Sequence, residues 1–258
     1  MERLTGNTRP AGITASALRA WGLLFVAIGI VGKGLIQNVL LGVGSMDPQM
    51  LLQAMNESDG VMGMVTLSLV LQAMETCAIP IFAFLLVEGF QHTSDYKKYL
   101  IRVIAVALVS ELLYNVVMNG QVIALSSRNP VWGCVLSLVL LGLFRYVDEK
   151  LKGSKVLKTF MGLAGILWAS MLTVEHGVFF VILVLVLWIM RVKPQFRLFV
   201  GMAAAALCMP ISPFYLASTM GFMAVHFYNG EKGDSSPVVN YAAYPAMLLA
   251  CAAAAIFL

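Results

Sequence analysis

The chain has 258 residues, of which 60% are hydrophobic and 12% charged, with a formal net charge of +4. That composition is far from a soluble domain's and leaves no polar stretch long enough to form one. Apart from Lys33 and Arg128, every Lys and Arg falls on alternate sides of the apolar runs, in the connections or at the run ends that adjoin them. The positive charge therefore reports membrane orientation, and no nucleic-acid partner is expected.

In chain order, Arg3 and Arg9 precede the first apolar run, Leu18–Leu41, Arg19 stands at its mouth, and together they place the N-terminus in the cytoplasm. The run is too long for the apolar core of a signal peptide, so it reads as an anchor in the lipid bilayer. The connection Gly44–Gly60 holds Asp47, Glu57 and Asp59 without a cation and is expected outside. Val61–Val87 returns the chain to Lys97, Lys98 and Arg102, and Leu100–Met118 leads out again to a loop whose cation is Arg128. Val131–Val147 then reaches the most basic stretch, with Arg145, Lys150, Lys152, Lys155 and Lys158. Lipid headgroups or a nucleotide-like cofactor are alternative uses for those cations, but topology already accounts for them.

Leu157–Val174 and Gly177–Met190 form a tight hairpin around Glu175 and His176, followed by Arg191, Lys193 and Arg197 inside. The run Leu198–Phe227 is too long for one crossing and is divided by Pro210 and Pro213. It reads as two short spans, with a re-entrant hairpin as the alternative. Tyr228–Asn240 is then cytoplasmic, and Tyr241–Leu258 is the last span. The expected fold is all-α, a polytopic helical membrane protein of about nine (eight to nine) transmembrane helices. Its N-terminus is cytoplasmic, and one transmembrane domain covers residues 1–258.

Three ionisable side chains interrupt otherwise apolar runs: Lys33, Glu75 and Glu111. A charge near the centre of a membrane helix costs about 2.5–3.5 kcal/mol, so each should face the bundle interior and find a partner. Lys33 and Glu75 lie at similar depth and are expected to form a structural ion pair. Glu111 shares a helix face with Asn115. Glu175 beside His176 suggests a general base, because a neighbouring carboxylate can hold an imidazole in a useful tautomer. Cys77, Cys134, Cys208 and Cys251 are scattered singly, and without a Cys/His cluster neither a metal nor a disulfide framework is expected.

One block is more specific. The run from Pro80 to Phe90, PIFAFLLVEGF, is followed by His92-Thr93, Lys97-Lys98-Tyr99-Leu100 and Ser110-Glu111. Further along come Asn119-Gly120, Ser126-Ser127, Asn129, Glu175-His176-Gly177, Tyr228-Asn229-Gly230, Lys232-Gly233, Tyr241 and Tyr244-Pro245. This pattern resembles the TraX family of integral membrane proteins over most of the chain. The resemblance implies a bacterial cytoplasmic membrane protein related to membrane acyltransferases, which take an acetyl group from cytoplasmic acetyl-CoA. The founding type N-acetylates conjugative pilin subunits. Family members usually carry an Asp-His pair in the first span, an Arg shortly before the PIFAF block and a His two residues after the last Tyr-Pro. Here Gly29 and Ile30, Thr76 and Met247 stand at those positions.

Two functions follow. The first is acyl transfer, with Lys97, Lys98, Arg102, Tyr228, Asn229 and Lys232 near the phosphates of acetyl-CoA. His176, Glu175 and Glu111 would then supply the proton chemistry for a protein, amine or hydroxyl acceptor. The second is a catalytically lapsed member that acts as a membrane binding or scaffold protein. Small-molecule transport is a weaker third, since no internal repeat or pair of broken helices accompanies the buried charges.

Overall fold

The structure, a computed structural model, describes residues 12–43, 46–234 and 236–257, so Arg3 and Arg9 lie outside the described residues. Helix α1 (Ala15–Gly29) runs directly into a π-helical stretch, Ile30–Leu40. There follow α2 (Pro48–Glu57), α3 (Asp59–Glu75), α4 (Ala78–His92), α5 (Tyr96–Asn119), α6 (Val131–Lys150) and α7 (Lys155–Met171). The chain continues through α8 (Gly177–Met190), α9 (Pro194–Leu207), a 3-10 turn at Pro213–Leu216, α10 (Thr219–His226) and α11 (Pro237–Phe257). Among the described residues, the extended pairings are two isolated bridges, Ile13 with Tyr228 and Arg128 with Val174.

Among the described residues, five segments are long and apolar enough to cross a membrane: Ala15–Leu40, Asp59–His92, Tyr96–Asn119, Val131–Lys150 and Val238–Phe257. Gly177–Met190 and Gln195–Leu207 are shorter apolar helices. The protein is thus a multi-pass helical membrane protein. Helix α2 was not expected and occupies the acidic connection. Asp47 caps it, its carboxylate accepting from the Gln49 amide at 2.7 Å, and Pro48 opens its first turn.

The core forms around α4 and α8. Helix α4 buries Ile81, Ala83, Phe84 and Phe90 and packs on α1, α6, α8 and α10. Apolar on nearly every side, α8 buries Phe179, Val181, Leu183, Val184 and Leu187, as a helix enclosed by others must. A second apolar cluster joins Ile30, Tyr114, Val117, Met118 and Leu248, where the π-helical stretch meets α5 and α11.

The long second run is interrupted at Thr76–Cys77, between α3 and α4. Pro80 has no amide to donate to the Thr76 carbonyl, which instead accepts from Ile79 at 3.1 Å. Two side chains at the break meet the turn between α9 and α10. Thr76 Oγ1 lies 3.0 Å from the carbonyl of Phe214, and Cys77 Sγ lies 3.3 Å from that of Ala217. Gly221 of α10 rests on the Cys77 backbone, a contact that any Cβ would obstruct.

The contacts sort the charges by end. Arg145 donates to the Phe90 carbonyl at 3.0 Å and lies over the Phe90 ring, Arg191 covers Trp188, and Arg197 covers Phe84. Tyr228 donates to Glu88 at 3.4 Å. One end of the bundle is therefore basic. The turn between α9 and α10 meets the break between α3 and α4 at Thr76 and Cys77.

Candidate functional site

A cavity of about 380 Å³ runs through the bundle between α1, α4, α5 and α11. Its walls are apolar, including Leu23, Val26, Ile79, Phe82, Leu86, Val103, Val106 and Phe180. At one end stand Arg19, Arg102 and Lys232, and at the other Glu75, Glu175, His176 and Tyr244. From Arg19 to Gly29, which faces Glu75, α1 advances about 15 Å at roughly 1.5 Å per residue. A second hollow of about 660 Å³ adjoins the basic end and shares Arg19, Leu85, Tyr99, Arg102, Lys232 and Tyr241 with the first. Glu88, His92, Asp95, Lys98 and Tyr228 are among its other lining residues.

The inner end is built by three interruptions of regular structure. The π-helical stretch carries Lys33, the break after α3 leaves Glu75 on its last helical residue, and the α7–α8 turn carries Glu175 and His176. A π-helical widening within a membrane helix commonly marks a functional site. Lys33 forms its ion pair with Glu175, not with Glu75 as the sequence suggested. The physical reason is that the α7–α8 turn dips into the bundle, while α3 stops where its last side chain points at Gly29, one turn before Lys33. The Glu75 carboxylate rests where a Cβ on Gly29 would stand. Among the described residues Glu75 has no hydrogen bond or ion pair, and its charged neighbours are Glu175 and Lys33.

Glu175 is otherwise occupied. One oxygen receives Lys33, and the other accepts from Tyr114 Oη at 2.6 Å, which in turn lies 2.9 Å from Ser127 Oγ. Glu175 does not orient His176, contrary to expectation. The His176 Nδ1 lies 3.1 Å from Tyr215 Oη, at the tip of the α9–α10 hairpin. Adjacent residues in a tight turn point apart, and the left-handed backbone of His176 (φ 55°) directs its ring away from the carboxylate beside it.

Glu111 is not part of this cavity. Its Oε2 accepts from the Asn129 amide at 3.3 Å, from the Asn129 side chain, and from Trp132 Nε1 at 3.0 Å. The residue thus ties the loop before α6 to α5. Its helix neighbour Asn115 instead receives Asn119 at 3.1 Å.

Of the cations and polar groups named from the sequence at the basic end, Lys98, Arg102, Tyr228 and Lys232 line the hollows. Lys97 faces outward. Asn229 serves the local turn, its side-chain oxygen accepting from the Glu231 amide at 3.0 Å. Asp95 caps α5, accepting from the Lys98 amide at 3.0 Å. That bond, with the Lys98 ammonium, holds its carboxyl below the ordinary value. Burial, then the Glu88 carboxylate, raises the Tyr228 phenol. Tyr114 and Tyr215 went unnoticed in the sequence, where each looks like one more aromatic in an apolar run, and Tyr244 was named only with Pro245 in the family pattern.

The family model described as TraX protein matches residues 54–253. The chain belongs to the TraX family. No curated protein and no solved structure matches it. Within this TraX-family chain, the positions where a polar group was expected lie close together. Ile30 and Met247 pack in the same apolar cluster, Gly29 receives Glu75, and buried Thr76 bonds the hairpin tip.

Proposed function

We propose that this TraX-family protein is an acyltransferase of the bacterial cytoplasmic membrane. It takes acetyl from acetyl-CoA and passes it to an amine or hydroxyl of a protein or small molecule. The observation that carries this reading is the cavity with cations at its mouth and a carboxylate and an imidazole at its base. Phosphates suit Arg19, Arg102, Lys98 and Lys232, and the apolar walls suit a linear thioester arm. The basic end is then cytoplasmic, with the N-terminus, and about nine segments are membrane-embedded, counting both arms of the α9–α10 hairpin.

In the reaction, the acceptor's lone pair attacks the thioester carbonyl, forming the new C–N or C–O bond. The C–S bond breaks, and the thiolate takes up a proton. A base must remove the acceptor's proton and a donor must steady the developing oxyanion. Glu75 and His176 are the groups at the inner end suited to those two tasks. Glu175, engaged by Lys33 and Tyr114, serves to hold the base of the cavity together.

A second reading, a lapsed enzyme that binds without turnover, is favoured by the apolar packing of Ile30 and Met247 where histidines were expected. The test is titration of the purified chain with acetyl-CoA. Saturable binding is expected, weakened about tenfold by Arg102→Ala or Lys232→Ala, as charge-assisted contacts imply. Glu75→Gln should bind normally and fail to transfer. Binding without transfer by the unaltered chain selects the second reading, and absence of saturable binding rejects both.

A further inference from the structure

His176 ends the α7–α8 turn and lines the inner end of the cavity. Its ring meets that of Tyr215 edge-on, with centroids 5.6 Å apart. Tyr215 is itself held firmly. It is 4% exposed, stacks on Phe179 at 4.0 Å, and sits in the 3-10 turn whose neighbouring carbonyls lie against Thr76 and Cys77. No residue of the hairpin tip beside it carries a formal charge.

A buried phenol O–H needs an acceptor. Among the described residues the polar atom within hydrogen-bond distance of Tyr215 Oη is His176 Nδ1, at 3.1 Å. If Nδ1 uses its lone pair to accept that bond, the neutral imidazole carries its hydrogen on Nε2. The opposite arrangement, Nδ1–H donating to the tyrosine oxygen, strands the phenol hydrogen in the interior. Nε2 has no bond to any described residue, so an N–H is what His176 offers to whatever fills the cavity.

We propose that Tyr215 is a positioning residue that holds His176 as the Nε2–H tautomer, making His176 the hydrogen-bond donor to the substrate carbonyl oxygen and leaving Glu75 as the base. The tautomer stands on the geometry alone, whereas the division of roles rests on the acyl-transfer reading. In the reaction, the C–N or C–O bond forms as Glu75 takes the acceptor's proton. The C–S bond breaks as negative charge returns from the oxygen, and that proton passes on to the leaving thiolate. His176 keeps its own hydrogen throughout, as a neutral imidazole acting as an electrophile does.

The test uses the full chain in nanodiscs with 15N-labelled histidine, in a His92→Gln/His226→Gln background that leaves His176 as the sole imidazole. Nitrogen shifts of a neutral ring protonated at Nε2 are expected, and Tyr215→Phe should give a mixture of tautomers. A hydrogen on Nδ1 in the background chain, or a spectrum unchanged by Tyr215→Phe, overturns the proposal. Should Tyr215→Phe not assemble, the background spectrum decides.

Turnover supplies the second arm. Removal of a carbonyl donor costs on the order of a hundredfold in kcat, so His176→Ala should lose about that much. His176→Gln, which keeps an N–H donor, should recover part of it with KM unchanged. Equal loss in His176→Gln and His176→Ala overturns the donor role. Absence of turnover in the unaltered chain removes the acyl-transfer reading, and with it the division of roles, while the nitrogen shifts still decide the tautomer.

Discussion

The carboxylate of Glu75 lies against Gly29, so that α1 and α3 meet where one helix has no side chain and the other ends in a charge. Gly29→Ala should force that carboxylate to move, a form of overpacking that costs about 1–3 kcal/mol. Thermal unfolding in detergent should show a lower midpoint for Gly29→Ala and recovery in Gly29→Ala/Glu75→Ala. A midpoint equal to that of the parent would mean the two residues are not in contact.

Lys33 and Glu175 should behave as a coupled pair. The pair is part-buried, so removing one partner leaves a charge incompletely compensated and costs less than the about 3–5 kcal/mol of a fully buried pair. Lys33→Glu and Glu175→Lys should each reduce folded yield, and the double exchange should restore much of it. Rescue of Lys33→Glu by Glu75→Lys instead would return the pair to the sequence-based assignment.

Glu111 should matter to the loop and not to the ligand. Glu111→Ala strands the donors of Asn129 and Trp132, at about 1–3 kcal/mol. The expected result is faster proteolysis between Gly120 and Pro130 with acetyl-CoA affinity unchanged. A large loss of affinity without local loosening would place Glu111 in the site.

Asp95 gives a local pH dependence. Its folded carboxyl is held below the ordinary Asp value, chiefly by the Lys98 amide and then by the Lys98 ammonium. Its contribution is therefore present above the unfolded value and lost as pH falls through the folded one. Amide exchange in the first turn of α5 should quicken over that acid range in the parent. Asp95→Asn keeps a cap oxygen without the titrating proton, and its exchange should follow only the intrinsic acid dependence.

Much of the architecture was legible along the chain because burial in lipid demands long apolar runs and cations mark their ends. Gly177–Met190 emerges as a helix with those bounds. The run divided by Pro210 and Pro213 does fold as two short helices around a turn. Helix α2 was missed because its ten residues mix Gln, Asn and Glu with Met and Leu, too short and too polar for a hydropathy signal.

The inner site is different. Depth counted along a helix places Lys33 beside Glu75, but it cannot see a turn entering the bundle, and that turn delivers Glu175. Nor does a local pattern bring Tyr215 to His176, since they are 39 positions apart in the chain, with α8 and α9 between them. The amino-acid order by itself determined that the chain lives in a membrane and that Lys33, Glu75 and Glu111 interrupt its apolar runs, because each follows from transfer free energy along one segment. Which buried charge meets which was decided only by tertiary structure, because pairing depends on where helices break and how their ends pack against one another.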